Sequence, residues 1–285
     1  MTRILAALAL LTISTGSFAT RHHHRHSGRR MHHRHVAARY TPHHFDDVGH
    51  PIRYSEFKVG HARYHVVVAN VADPGVEAST VLCRGVSSVW NLVRTPRACA
   101  AVTGTFFAPR SGYPVGDVLV DGNLRAFGRR GSAMAIDYYG RPHVFDTDFG
   151  KPVDWSAYRW ALRGAVRLVR NGRPCPNPRA QEFHDSRIWS RVARTGAGVT
   201  RSGKLVLIAT TSPVTLTEFA KAMIKLGVRD AVNLDGGSST CLFYRGVIVI
   251  RPARRLSNML VLTEVEGAKG SVPDRASANS AYLNQ

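Results

Sequence analysis

Along most of this chain the apolar residues fall in short runs or alternate with polar ones, which is the spacing of strands. Ile52 to Val59 and Arg63 to Val71 flank Gly60-His61 and predict a hairpin, closed off by Asp73-Pro74-Gly75. Ala98 to Phe107 reads as a buried strand ending in paired aromatics, whereas Val81 to Val93 fits a short helix or a loop. Val118 to Val120 runs into Asp121-Gly122, and Ala133 to Asp137 and Pro142 to Phe145 flank Tyr139-Gly140. Val166 to Val169 runs into Asn171-Gly172, a strong hairpin signal. Arg173 to Gln181 is Pro-rich and polar and predicts a surface loop. Val192 to Gly198 and Lys204 to Thr210 make another hairpin around Arg201-Ser202-Gly203. Cys241 to Tyr244 and Val247 to Ile250 flank Arg245-Gly246, and Asn258 to Val265 is the last strand.

One segment has the period of a helix. Thr215-Leu216-Thr217-Glu218 has the form of a capping box, Leu216, Phe219, Ala220, Met223 and Leu226 share a face, and Gly227 ends the run. Helices do not alternate with strands, which disfavours a doubly wound sheet. The pattern predicts an α+β fold, strand-rich with mixed sheets and one or two helices, in a single domain over residues 51–266.

Composition changes the picture at the ends. Arg3, the apolar run Ile4 to Ile13 and Ser17-Phe18-Ala19 fit a signal peptide over residues 1–19, too short for a membrane span, so a secreted or periplasmic protein is expected. Residues 20–50 read as a disordered His/Arg-rich arm; nine histidines, six arginines and no acid lie between Arg21 and His44. That arm suits adhesion to polyanions or capture of a transition metal. Residues 267–285 read as a polar tail. The formal charge is +20, and +13 remains without Arg3 and the arm's arginines, so affinity for anionic surfaces or substrates is expected. Nucleic acid is disfavoured by the export signal and the lack of a recognisable binding motif. The four cysteines, Cys83, Cys99, Cys175 and Cys241, form no C-x-x-C pair and suit an oxidising compartment; two disulfides are possible in three connectivities, of which Cys83 with Cys99 and Cys175 with Cys241 is the one expected.

Candidate chemistry centres on Val228 to Leu242. A short apolar strand there ends in Asp235, Gly236, Gly237, Ser238, Ser239 and Thr240. Glycines let backbone amides approach an oxyanion, and the hydroxyls add uncharged donors. A tight turn with a turn-forming Asp fits the D-G-G alone equally well; the three hydroxyls that follow are what favour a ligand-facing strand end. No base stands beside the serines, which disfavours a serine nucleophile. Asp117, Asp121, His184 and Asp185 are candidates for a second acid or base, against a turn or surface role. Neither a metal constellation nor a cofactor is implied by the body of the chain.

The order of A-V-T-G-T-F-F, G-D-V-L-V-D-G, R-G-A-V-R-L-V-R-N-G, A-R-T-G-A-G-V, the helix T-L-T-E-F-A-K-A-M-I-K-L-G, A-V-N-L-D-G-G-S-S-T and R-L-S-N-M-L-V-L resembles the phosphodiester glycosidase family, over Ala98 to Leu262. The resemblance implies an exported hydrolase that splits the bond between a sugar's anomeric carbon and a phosphodiester oxygen, acting on an envelope or extracellular glycoconjugate. It implies Asp235 as the essential carboxylate and Arg194 as the cation on the departing phosphate. Thr103, Gly104, Thr195, Gly236, Gly237, Ser238, Ser239, Arg255 and Asn258 are the implied substrate contacts. Three departures stand out: Thr103 replaces the family's Asn, only two glycines precede Ser238, and Ala209-Thr210-Thr211-Ser212-Pro213 stands where many members have Asp-Gly-Arg. A non-catalytic module that binds anionic polysaccharide is the alternative.

Overall fold

The structure, a computed structural model, describes residues 45–265. The leader, most of the arm and the tail expected from the sequence lie outside these residues. The elements run β1 (Ile52–Val59), β2 (Ala62–Ala69), β3 (Val76–Ser87), α1 (Val89–Arg94), β4 (Ala100–Thr103), β5 (Val118–Val120), β6 (Asn123–Ala126), β7 (Ser132–Asp137), β8 (Pro142–Phe145) and β9 (Tyr158–Arg170). Then come β10 (Arg173–Pro174), α2 (Ser186–Trp189), β11 (Val192–Thr200), β12 (Leu205–Val214), α3 (Leu216–Lys225), β13 (Val228–Asn233), β14 (Leu242–Tyr244), β15 (Val247–Ile250) and β16 (Leu256–Glu264).

The strands build two sheets. The larger has the path β1-β2-β12-β11-β13-β9-β5-β6, with β7, β8 and β10 attached; the smaller is β15-β14-β4-β16-β3. Where mixed sheets are expected, every pairing described is antiparallel. Among the described residues the α-helices are three, two of them only six and four residues long.

Side-chain alternation arranges these elements in four layers. On β12, Leu205, Leu207 and Ala209 point into a core shared with Ala100, Val102, Leu242, Leu260 and Leu262 of the smaller sheet. Val206 and Ile208 point the other way, onto Leu216, Phe219, Ala220 and Met223 of α3. Ala101, Phe243, Met259 and Val261 bury their face under Val89, Leu92 and Val93 of α1. A strand covered on both faces has no polar side to show, and so its sequence reads as a continuous apolar run.

The capping box of α3 is present, with Glu218 N donating to Thr215 Oγ1 at 3.2 Å and Thr215 N to Glu218 Oε2 at 2.8 Å. Two expectations need correction. Phe45 to His50 do not belong to a disordered arm: Phe45 packs edge-on against Tyr54 and Tyr244, and Asp47 accepts from Tyr54 N at 2.7 Å and the Tyr244 hydroxyl at 2.6 Å. No disulfide forms among the four cysteines. β16 separates β3 from β4: the Cys83 thiol donates to Ser257 O, while Cys99 N donates to Leu262 O, about 17 Å further along that strand. Cys175 follows β10 of the larger sheet, whereas Cys241 packs with the outer face of the smaller one.

Candidate active site

The D-G-G segment is the crossing between the sheets, since β13 belongs to the larger and β14 to the smaller. Strand ends hold it on three sides. Asp235 N donates to Gly104 O just past β4, and Leu234 N donates to Thr195 O on β11, both at 2.9 Å. The Thr103 hydroxyl donates to Ser239 O at 2.5 Å. Gly236 has an extended φ, and its glycine answers to space: a Cβ there would lie 2.7 Å from Ala193 O and 3.4 Å from Arg194 Cα. Gly237 is glycine for its backbone, with a φ of +57°.

Asp235 is 5% exposed. Its Oδ2 accepts from Arg254 Nη2 at 2.9 Å; Arg254 Nε donates to Ser239 Oγ at 2.5 Å, and the guanidinium lies 4.4 Å from the Phe107 ring centroid. Burial raises the Asp235 carboxyl above its ordinary range, against the pull of Ser239, Arg254 and the Gly236 amide.

Arg194 is 3% exposed, on the strand beside the Asp235 loop. Its Nε donates to Val214 O at 3.2 Å, and Nη2 donates to Ile188 O at 2.9 Å and Ser190 O at 2.6 Å. Among the described residues no carboxylate lies within ion-pair distance of it, and Nη1 has no protein partner. Burial alone pushes its pKa down to about 10.

The remaining candidates divide. Thr103, Gly104 and Asn258 lie at the site as framework. Thr103 is fully buried, its hydroxyl engaged, and offers no free group to a ligand. Asn258 accepts from Thr105 N at 2.7 Å and donates to Thr105 O at 3.2 Å; a Cβ on Gly104 would meet its Oδ1 at 2.1 Å. Ser238 is exposed, while its carbonyl accepts from Ala253 N. Arg255 is exposed and makes no bond among the described residues; its neighbour Arg254 takes the position beside Asp235. In Arg251-Pro252-Ala253-Arg254-Arg255 only the irregular path into β16 decides which arginine turns inward.

The second-acid candidates are occupied elsewhere. Asp117 is buried, accepting from Trp155 Nε1 at 3.0 Å and Gly128 N at 2.8 Å and lying 3.5 Å from Arg163 Nη1. Asp121 sits in a turn at φ +51° and pairs with Arg159. Asp185 caps α2, and His184 meets Glu182 on the surface. Four buried oxygens have no partner among the described residues: Thr105 Oγ1, Thr195 Oγ1, Asn233 Oδ1 and Thr240 Oγ1. All lie next to Gly104 or Arg194, or flank residues 234–239.

The family model for phosphodiester glycosidases matches residues 96–263, more than half of the chain. The chain belongs to the phosphodiester glycosidase family. A human relative, N-acetylglucosamine-1-phosphodiester alpha-N-acetylglucosaminidase, is 28% identical over 208 residues, 65% of this chain and 39% of its own length. Its Bos taurus counterpart is 28% identical over 55% of this chain and 33% of its own length. This phosphodiester glycosidase family member thus spans about a third to two fifths of the curated relatives. Among solved structures, a Synechocystis hypothetical protein superposes with a TM-score of 0.66 at 17% identity, covering 75% of this chain and 62% of that one. The catalytic domain of the zebrafish N-acetylglucosaminidase, auto-inhibited by its pro-peptide, does so with 0.61 at 20% identity, covering 75% and 82%. Both share the fold. No helix among the described residues is long and apolar enough to cross a membrane.

Proposed function

We propose that this chain is an exported hydrolase that cleaves the bond between a sugar's anomeric carbon and a phosphodiester oxygen in an envelope or extracellular glycoconjugate. The observation that carries this reading is a pair of buried opposite charges on neighbouring strand ends that do not neutralise each other. Asp235 has Arg254; Arg194 has carbonyls and no acid. A buried guanidinium without a counter-ion is costly, and a phosphate on its unpartnered Nη1 would remove that cost.

A phosphate ester is a good leaving group and needs little protonation, so one carboxylate with a cation replaces the usual pair. In this reading Asp235 accepts a proton from water as the water oxygen bonds to the anomeric carbon. The carbon–oxygen bond to phosphate breaks, its electron pair leaves on the phosphate oxygen, and Arg194 stabilises that charge. Arg254 orients Asp235 and keeps it ionised. The raised pKa of Asp235 suits a base working closer to neutrality. Unpaired oxygens on Thr105, Thr195, Asn233 and Thr240 are the groups a hydroxylated ligand or ordered water would satisfy. The relatives' name makes N-acetylglucosamine the first sugar to try.

The test is release of reducing sugar from a panel of sugar 1-(methyl phosphate) diesters by the wild type, Asp235→Asn and Arg194→Gln. Turnover by the wild type, reduced a hundredfold or more in Asp235→Asn, is expected; equal turnover removes Asp235 from the mechanism. The closed Thr103 hydroxyl favours the alternative, a binding module for anionic polysaccharide. Its signature is no turnover by any variant, with salt-sensitive polymer binding that survives Asp235→Asn and weakens when residues 20–44 are deleted.

A further inference from the structure

The chain between β10 and β11 carries a cation not yet given a role. Arg187 of α2 has a side chain 81% exposed and pairs with Asp185, its Nε 3.0 Å from both carboxylate oxygens and its Nη2 2.5 Å from Oδ2. Asp185 also accepts from Arg187 N at 2.9 Å, so one carboxylate caps the helix and fixes the guanidinium. Nη1 and part of Nη2 are left without a protein partner.

An exposed arginine is ordinarily a solvated charge, but the backbone beneath this one is tied to the site on both sides. Upstream, the buried Phe183 ring packs 5.5 Å from that of Phe106, two residues beyond the Gly104 carbonyl that accepts from Asp235 N. Downstream, Arg194 donates to the carbonyls of Ile188 and Ser190, the first of them adjacent to Arg187. The hydrogen bond and charge of Asp185 raise the Arg187 pKa most, burial lowers it, and the charge of Asp235 adds a smaller upward pull.

We propose that Arg187 is a specificity-determining residue for the anionic leaving group, its free N–H groups receiving phosphate oxygens at the mouth of the site, while Arg194, besides the phosphate contact proposed for its Nη1, holds α2 there through Nη2. This rests on the phosphodiester reading above. Arg187 is exposed and already half neutralised by Asp185, so it contributes to capture of the ligand and not to bond breaking.

The experiment measures KM and kcat for N-acetylglucosamine 1-(methyl phosphate) and the other diesters of the panel, and calorimetric binding of the same compounds to Asp235→Asn with and without Arg187→Gln. Arg187→Gln should raise KM about five- to tenfold with kcat within about twofold, Arg187→Lys should recover part of the loss, and 0.5 M salt should shrink the difference. Hydrogen exchange of amides 186–190 should accelerate in Arg194→Gln, which a role confined to contact with phosphate does not produce. Turnover with equal KM in wild type and Arg187→Gln overturns this inference and leaves the hydrolase standing. Binding without turnover, weakened by Arg187→Gln, removes the hydrolase and leaves the anion site. Neither binding nor turnover of any diester overturns both.

Discussion

Single residues at the site divide between those that hold its backbone and those proposed to react. Asn258 is a holder: both it and Thr105 are fully buried and its amide satisfies the N–H and C=O of Thr105, so Asn258→Ala strands two buried backbone groups. The expected loss is roughly 2–4 kcal/mol of unfolding free energy in urea melts. Asp235, paired with Arg254, is the proposed base, and its titration has a direction. Its carboxyl is raised by burial, so if the ionised form is the base, activity falls as pH drops through a value above the ordinary carboxylate range. The acid limb of kcat/KM for a sugar 1-phosphodiester is the measurement. The thiols are a third case. Burial pushes Cys99 and Cys241 up to about 12, so both should resist a thiol reagent in the native protein, and all four should react in denaturant without added reductant. A count below four would restore a disulfide.

At the scale of elements, α3 is the one helix whose start was readable in full, because a capping box is a local device. Thr215→Ala should cost about 1 kcal/mol in thermal or urea unfolding. Glu218 is held down to about 2 from 4.5 by its bond to the Thr215 amide first and by Arg191 second. The sign follows from linkage: a carboxyl depressed in the folded state stabilises above its unfolded pKa, and that contribution is lost as pH falls toward 2. The stability difference between wild type and Glu218→Gln should therefore be full at pH 6 and vanish near pH 2. The carboxylate is partly exposed, so salt should reduce the effect. The strand from Ala98 to Phe107 was readable only in part. Pairing with the sheet stops at Thr103; Thr105 is held by the Asn258 side chain, and Phe106 and Phe107 meet Val115 and Pro114 of the following loop.

The described residues form two sheets between two helical layers, with a buried network around Arg163. That guanidinium is fully buried and donates to Thr147 Oγ1, Gly128 O, Lys151 O and Asp148 O, with Asp117 at 3.5 Å. Asp117→Ala removes the carboxylate that lies 3.5 Å from a buried cation and should cost about 3–5 kcal/mol, read as a lower denaturant midpoint. The same geometry explains why Asp117, a plausible acid in the sequence, is engaged in structure.

By itself the sequence determined the strand-rich character, the hairpins, the span and cap of α3 and the family, and it singled out the Asp-Gly-Gly corner as a candidate. All of these rest on neighbours along the chain: period, turn chemistry and the order of motifs. Only the tertiary structure decided which groups meet at that corner. Arg254 and not Arg255 reaches Asp235, the Thr103 hydroxyl closes on Ser239, Arg194 is tied to α2, and the cysteines stay apart. These outcomes depend on β4, β11, β13 and β16, which lie far apart in sequence and converge only through sheet pairing. The apolar pattern specifies which face of each strand is buried; the polar partner, whether 19 residues away as Arg254 is from Asp235 or 136 away as Ser239 is from Thr103, is set by the assembled sheets.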